Sequence, residues 1–169
     1  MMQPIETKIN GFQIRKAGKR EIPLVLDFIK RLAEYEKLSH MVVATEEQLE
    51  KYLFGKHKIA DVVLGYYQDE PVGFALYFFN FSTFLCKPGI YLEDIFILEK
   101  FRGRGFGKVM LTYLAKLAVE KDCGRLEWAV LDWNKPSIDF YKSLGAQLMD
   151  EWIINRVSGE TLEELAARF

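Results

Sequence analysis

The sequence holds 169 residues, half of them apolar, with a formal charge of −1 at pH 7 and a pI near 6.2. That length supports one full hydrophobic core, so a single domain over residues 1–169 is expected. A balance so close to neutral gives no general electrostatic case for nucleic acid or an anionic membrane as partner.

In chain order, Phe12-Gln13-Ile14 alternates like a short strand, and Ile22, Leu26, Ile29, Leu32 and Ala33 have helical spacing over Glu21 to Tyr35. Thr45-Glu46-Glu47-Gln48 has capping-box form and opens a second, short helix to Leu53. Ala60–Tyr67 and Val72–Phe81 are β-rich runs joined by the turn composition Gln68-Asp69-Glu70-Pro71, which predicts a hairpin. The second run is the most apolar in the chain and is too short to cross a bilayer, and no secretory leader pattern opens the sequence, so a cytoplasmic protein is expected. Phe74, Tyr77, Phe78, Phe79, Phe81 and Phe84 suit either an aromatic cofactor box or a strand buried on both faces, and core packing is the favoured reading. Tyr91–Leu98 is the next strand, and Val109–Glu120 a helix with Val109, Leu111, Leu114, Ala115, Ala118 and Val119 on its apolar face.

Arg125–Leu131 reads as a further strand, and Trp133-Asn134-Lys135-Pro136-Ser137 opens a helix, with Pro136 suited to its first turn, that Gly145 closes. Trp152–Val157 reads as a last strand before a short C-terminal helix carrying Leu162, Leu165, Ala166 and Phe169 on one face. This order implies a mixed sheet with helices on both faces. Cys86 and Cys123 have no Cys or His neighbour at ligand spacing, so neither a metal site nor a disulfide framework is expected, and reduced, buried thiols are the simpler reading.

The chemistry concentrates where the Tyr91–Leu98 strand runs into Arg102-Gly103-Arg104-Gly105-Phe106-Gly107-Lys108 and then a helix. Bare backbone N–H groups at a helix N-terminus attract an anion, which suggests a phosphate cradle. The Walker pattern fails, because position 102 is Arg and Gly107-Lys108 is followed by Val109. The dinucleotide fingerprint fits poorly, since the glycines alternate and a hairpin precedes the strand. A merely flexible turn is the remaining alternative.

What survives is Arg102-x-x-Gly105-x-Gly107, and here the sequence resembles the GNAT (GCN5-related N-acetyltransferase) superfamily over nearly its whole length. Tyr91-Leu92-Glu93-Asp94-Ile95-Phe96 and the stretch Trp133 to Lys142 are most similar to the diamine acetyltransferases of the spermidine/spermine type. The resemblance implies an α/β GNAT fold with a central mixed, mostly antiparallel sheet of six to seven strands. It also implies acetyl-CoA as co-substrate and a homodimer. Within that resemblance, the backbone of Ile95, Phe96 and Ile97 splays from its neighbour to pair with the pantetheine and polarise the thioester carbonyl. Amides from Arg102 through Gly103, Arg104, Gly105, Phe106 and Gly107 to Lys108 take the pyrophosphate, the basic side chains adding charge, while Asn134 and Ser137 bind farther along the cofactor.

Tyr141 corresponds to the general acid for the CoA thiolate, since a phenol stays protonated at neutral pH; packing beside Phe140 is its bland alternative. The attacking amine arrives as an ammonium and needs a base. Glu93, acting through water, is favoured over Asp94, because adjacent strand residues point to opposite faces and only one is expected to line the pocket. Tyr35, Glu36, Glu93, Asp94 and Glu151 are the candidates to hold a cationic substrate, although for any of these carboxylates in isolation a solvated surface charge is the favoured reading. A polyamine or diamine is the expected acceptor. A lysine-like amino acid such as thialysine, a protein lysine, or a CoA-binding module without turnover are the alternatives.

Overall fold

Alternating apolar residues draw the chain into one sheet. In the computed structural model, which describes residues 3–169, its strands are β1 (Ile5–Glu6), β2 (Phe12–Lys16), β3 (Asp61–Tyr67), β4 (Glu70–Ser82), β5 (Lys87–Ile97) and β6 (Arg125–Trp128). They lie side by side in chain order, antiparallel from β1 to β5, with only β5 and β6 parallel. Antiparallel neighbours need only short turns or local excursions, whereas the parallel step needs a crossover, and α3 (Phe106–Glu120) supplies it. By backbone packing the chain divides into two compact units, residues 1–129 and 130–169. The sheet, α3, α1 (Ile22–Tyr35) and α2 (Glu46–Leu49), which runs on into a π turn over Glu50–Phe54, belong to the first. The second holds α4 (Lys135–Ser143) and α5 (Glu160–Ala166).

Each face of the sheet is sealed by its own helix. Val25, Leu26 and Phe28 of α1 pack with Val62, Leu64, Phe74 and Phe96, and the Phe28 and Phe74 rings stack at 5.7 Å. On the opposite face Phe12 stacks on Phe106 of α3 at 4.3 Å, and Met110 and Leu114 are fully buried. Each such side chain withdrawn from water contributes roughly 1.5–3 kcal/mol. The capping box at Thr45 forms as its sequence predicts, with Gln48 N–H donating to Thr45 Oγ1 at 3.3 Å and Thr45 N–H to Gln48 Oε1 at 3.0 Å.

Several expectations need correction. β5 starts at Lys87 rather than Tyr91, β6 stops at Trp128, and α3 begins at Phe106, before its apolar pattern does. Trp152–Val157 forms no strand: its unit contains no other strand to take its N–H and C=O groups, and Trp152, Ile153 and Ile154 are exposed. The core reading of the aromatic run holds for Phe74, Tyr77 and partly for Phe78, but Phe79 and Phe81 are exposed, because β4 runs beyond the end of β3, and Phe84 is exposed in the turn after β4. Cys86 sits exposed in the β4–β5 turn, so only Cys123 is even partly shielded. Among the described residues no helix is long and apolar enough to cross a membrane.

Candidate active site

The loop after β5 is built around glycine. Gly103 and Gly105 hold φ of +76° and +83°, and Gly105 is the N-cap of α3 with no side-chain cap. A residue with a Cβ would be strained in that left-handed geometry, so glycine is required to turn the chain sharply into the helix. The first backbone bond of the helix is Val109 N–H to the Gly105 carbonyl at 3.0 Å. Among the described residues, the N–H groups of Gly103 through Lys108 have no protein acceptor, which leaves a run of donors at the positive end of the helix dipole. No carboxylate of the described residues pairs with Arg102, Arg104 or Lys108 either. This donor set fits the pyrophosphate of a CoA thioester.

The basic side chains do not converge as expected. Arg102 leans toward α1, its guanidinium 4.3 Å from the Tyr35 ring centroid and 5.5 Å from that of Phe96, with Nε donating to the Ile97 carbonyl at 3.0 Å. Arg104 leans over Tyr67 and Phe101 instead, at 5.7 and 5.3 Å. Tyr35, expected as an aromatic wall for a substrate cation, thus already carries a cation on its ring.

β5 provides the second half of the site. Its pairing with β6 runs from Gly89–Arg125 to Leu92–Trp128 and stops, so from Glu93 to Ile97 β5 has no β6 partner among the described residues. Its backbone there makes no ladder bonds on that side, and the Ile97 carbonyl accepts from Arg102. On the β4 side, Leu92 pairs with Tyr77 and Asp94 with Leu76, which leaves Glu93 as an extra residue in a β-bulge. The bulge shifts the alternation by one. Asp94 falls in register with Leu76 and, two residues on, Phe96, both packed with α1, whereas Leu92 shares a pair with Tyr77 on the α3 face. The bulge thus sets Asp94 in register with the α1-facing residues of β4, and the Glu93 charge beside it bears on its protonation.

Burial pushes the Asp94 carboxyl up to about 7, and the neighbouring charges of Glu93 and Glu36 add to the effect. Glu36, the C-cap of α1, is itself raised by burial. None of the three carboxylates is ion-paired with a cation of the described residues, although ion pairs are frequent elsewhere on the surface. The signal that could have revealed the bulge is two consecutive acids interrupting a strictly apolar strand pattern.

In the second unit, Asn134 caps α4, its Oδ1 accepting from Ser137 N–H at 3.4 Å, so the pair expected on the cofactor also has a structural duty. Tyr141 lies on the same helix, buried, its ring 5.3 Å from Phe140. Glu151 sits in the irregular segment after α4, exposed. Tyr35, Glu36, Glu93, Asp94 and Arg102 are thus gathered in the first unit, and Asn134, Ser137 and Tyr141 on one helix of the second.

A sheet edge released beside a bulge, next to a glycine loop that presents bare N–H groups, is the arrangement that the sequence resemblance implies for an acyl-CoA-dependent transferase. Comparison with known proteins agrees. The profile of the Acetyltransferase (GNAT) family matches residues 27–146. A thialysine N-epsilon-acetyltransferase from Bos taurus is 39% identical, over 92% of this chain and 97% of its own. An L-ornithine N5-acetyltransferase from Arabidopsis thaliana is 32% identical, over 90% and 87% respectively. Among solved structures, an integron cassette protein from the mobile metagenome of V. cholerae superposes with a TM-score of 0.78, at 28% identity, over 92% of this chain and 98% of that one. The chain belongs to the GNAT acetyltransferase family. It is an acyltransferase, and enzymes of this family use acetyl-CoA as co-substrate.

Proposed function

We propose that this enzyme moves acetyl from acetyl-CoA to the terminal primary amine of a small diamine, polyamine or diamino acid, by direct attack in a ternary complex. The observation that carries this reading is the bulge carboxylate: Asp94, raised to about 7 beside Glu93 and Glu36 and without a cationic partner among the described residues. An acid poised near neutral pH both attracts an ammonium and accepts its proton, whereas an ordinary carboxylate is too weak a base for the task. This moves the preferred base from Glu93 to Asp94, with Glu93 and Glu36 holding the substrate's charge.

Acetyl-CoA supplies the thioester. The ammonium gives one proton to Asp94, the freed nitrogen forms the C–N bond as the C–S bond breaks, the departing thiolate takes a proton from Tyr141, and the second proton shed by the new amide nitrogen passes through water to restore the phenol. Backbone groups of Ile95 and Phe96 on the open edge of β5 orient the acyl arm, and the amides of Gly103 to Lys108 anchor the pyrophosphate. The ornithine and thialysine named for the relatives both end in a primary amine on a short flexible chain, which supports the acceptor class. The same reading places the enzyme in the cytoplasm as a homodimer that uses the exposed Trp152–Ile154 segment, which sedimentation of a Trp152→Ser variant checks.

Release of CoA measured across putrescine, spermidine, spermine, ornithine, lysine and thialysine tests the proposal. Tight binding of acetyl-CoA with no release for any amine would overturn it in favour of a binding module.

A further inference from the structure

Between the end of α2 and the start of β3 the chain folds back on itself. The π turn over Glu50–Phe54 is followed by Gly55, where a Cβ would stand 2.7 Å from the Lys51 carbonyl oxygen, so glycine is required for the loop to cross the turn so closely. Two backbone bonds then pin the loop: Lys58 N–H donates to the Gly55 carbonyl at 3.2 Å, and Ile59 N–H to the Tyr52 carbonyl at 2.9 Å. The fold-back encloses a cavity of about 360 Å³ lined by Lys51, Tyr52, His57, Lys58 and Ile59. A π turn is a rare irregularity that recurs at functional sites.

No carboxylate lines this cavity. Lys51 is held with Nζ 4.8 Å from the Tyr52 ring centroid, and the acid beside it in sequence, Glu50, is taken by Lys19 at 2.8 Å. Lys58 pairs with Asp61 at 2.7 Å, but an ammonium has three donors and one acceptor does not exhaust it. The opposing pole of α2 is weak, since that helix is four residues long and the Tyr52 carbonyl already accepts from Ile59. Two ammonium groups and an imidazole on one wall are the complement of an anion. The volume is more than a lone phosphate needs and lies in the range of small-molecule sites. Tyr52 and Ile59, 40% and 70% exposed, offer an aromatic and an aliphatic surface to the rest of such a ligand.

The cavity is separate from the cofactor cradle. Asp61, two residues after Ile59, stands opposite Tyr77 and through it Leu92, whereas the glycine loop leaves the sheet after Ile97, opposite Gly73 and through it Gly65. From Asp61 to Gly65 is roughly 13 Å along the sheet.

We propose that this fold-back is a second binding site, for a small phosphate-bearing anion with a ring, of the nucleoside diphosphate kind. Calorimetric titration of the full chain with ADP and with inorganic pyrophosphate, in saturating CoA so that the cofactor site is already filled, tests it. ADP is expected to bind at one site, at least about ten-fold tighter than pyrophosphate, because only ADP has a ring to lay on Tyr52. Lys51→Gln should weaken ADP by at least about ten-fold, and Tyr52→Leu should bring it down toward pyrophosphate, while CoA affinity and basal turnover stay at the wild-type values. Absence of ADP binding at millimolar concentration, ADP binding that disappears once CoA is present, pyrophosphate bound as tightly as ADP, or an affinity unchanged by Lys51→Gln would each overturn the assignment. None of these outcomes touches the amine acetyltransferase reading, which is decided by turnover alone.

Discussion

Replacing Asp94 by Asn separates stability from catalysis at one atom. Folding moves this carboxyl from the ordinary aspartate value of 3.8 to about 7. Between those values the folded chain holds a proton that the unfolded chain has released, so stability falls as pH rises from about 4 to about 7 and the full cost is present above that. At 1.36 kcal/mol per pH unit the difference is roughly 4 kcal/mol, an upper figure, because Glu93 and Glu36 share in it. Asparagine cannot ionise. Urea unfolding of Asp94→Asn should therefore lose most of the pH slope between pH 5 and 8, and the variant should exceed the wild type at pH 8 by on the order of 2 kcal/mol. Its turnover should fall by about a hundred-fold or more. Glu93→Gln should keep more of its rate and move the pH optimum downward, since a like charge is removed from beside Asp94. An unfolding slope for Asp94→Asn parallel to that of the wild type, or retained turnover with an unshifted pH profile, would refute the reasoning.

Tyr141→Phe should lower turnover about a hundred-fold while acetyl-CoA affinity, read by calorimetry, stays near the wild-type value; equal turnover removes the phenol as the acid. Gly105→Ala places a Cβ at a φ of +83° at the head of α3 and should cost about 1 kcal/mol of stability together with a clear loss of acetyl-CoA affinity. Unaltered binding there would mean that the loop does not seat the pyrophosphate. At Gly73 a Cβ would overlap the Phe96 carbonyl oxygen and the Ile97 side chain, so Gly73→Ala should lower the midpoint of urea unfolding by about 1–3 kcal/mol equivalent. A neutral result would show that β4 and β5 can separate without penalty.

The outline of this enzyme was readable because local rules decide it. Spacing of Ile22, Leu26, Ile29 and Ala33 fixes α1 and the box at Thr45 caps α2, while the glycines before Phe106 mark the loop where backbone amides stand unpaired. What escaped the sequence depends on partners distant in the chain. The facing of Asp94 is set by which residue of β4 it opposes, a matter of register that period-2 reading assumes rather than determines. The direction of Arg102 is set by the rings of Tyr35 and Phe96, and nothing in Arg102-x-x-Gly105 announces them. Trp152–Val157 has the composition of a strand but lacks a neighbour within its unit, and composition alone does not supply one.

The bulge also bears on how such a site changes. Glu93 is the residue of β5 that its pairing with β4 does not count: removing it would let Leu92 and Asp94 follow each other opposite Tyr77 and Leu76, in a regular ladder with Phe96 still against Phe28. The architecture is complete without Glu93. A lineage can therefore gain or lose an acid at this place by a single codon inserted or deleted, with the core undisturbed, and acquire a different appetite for charged substrates without passing through an unfolded intermediate.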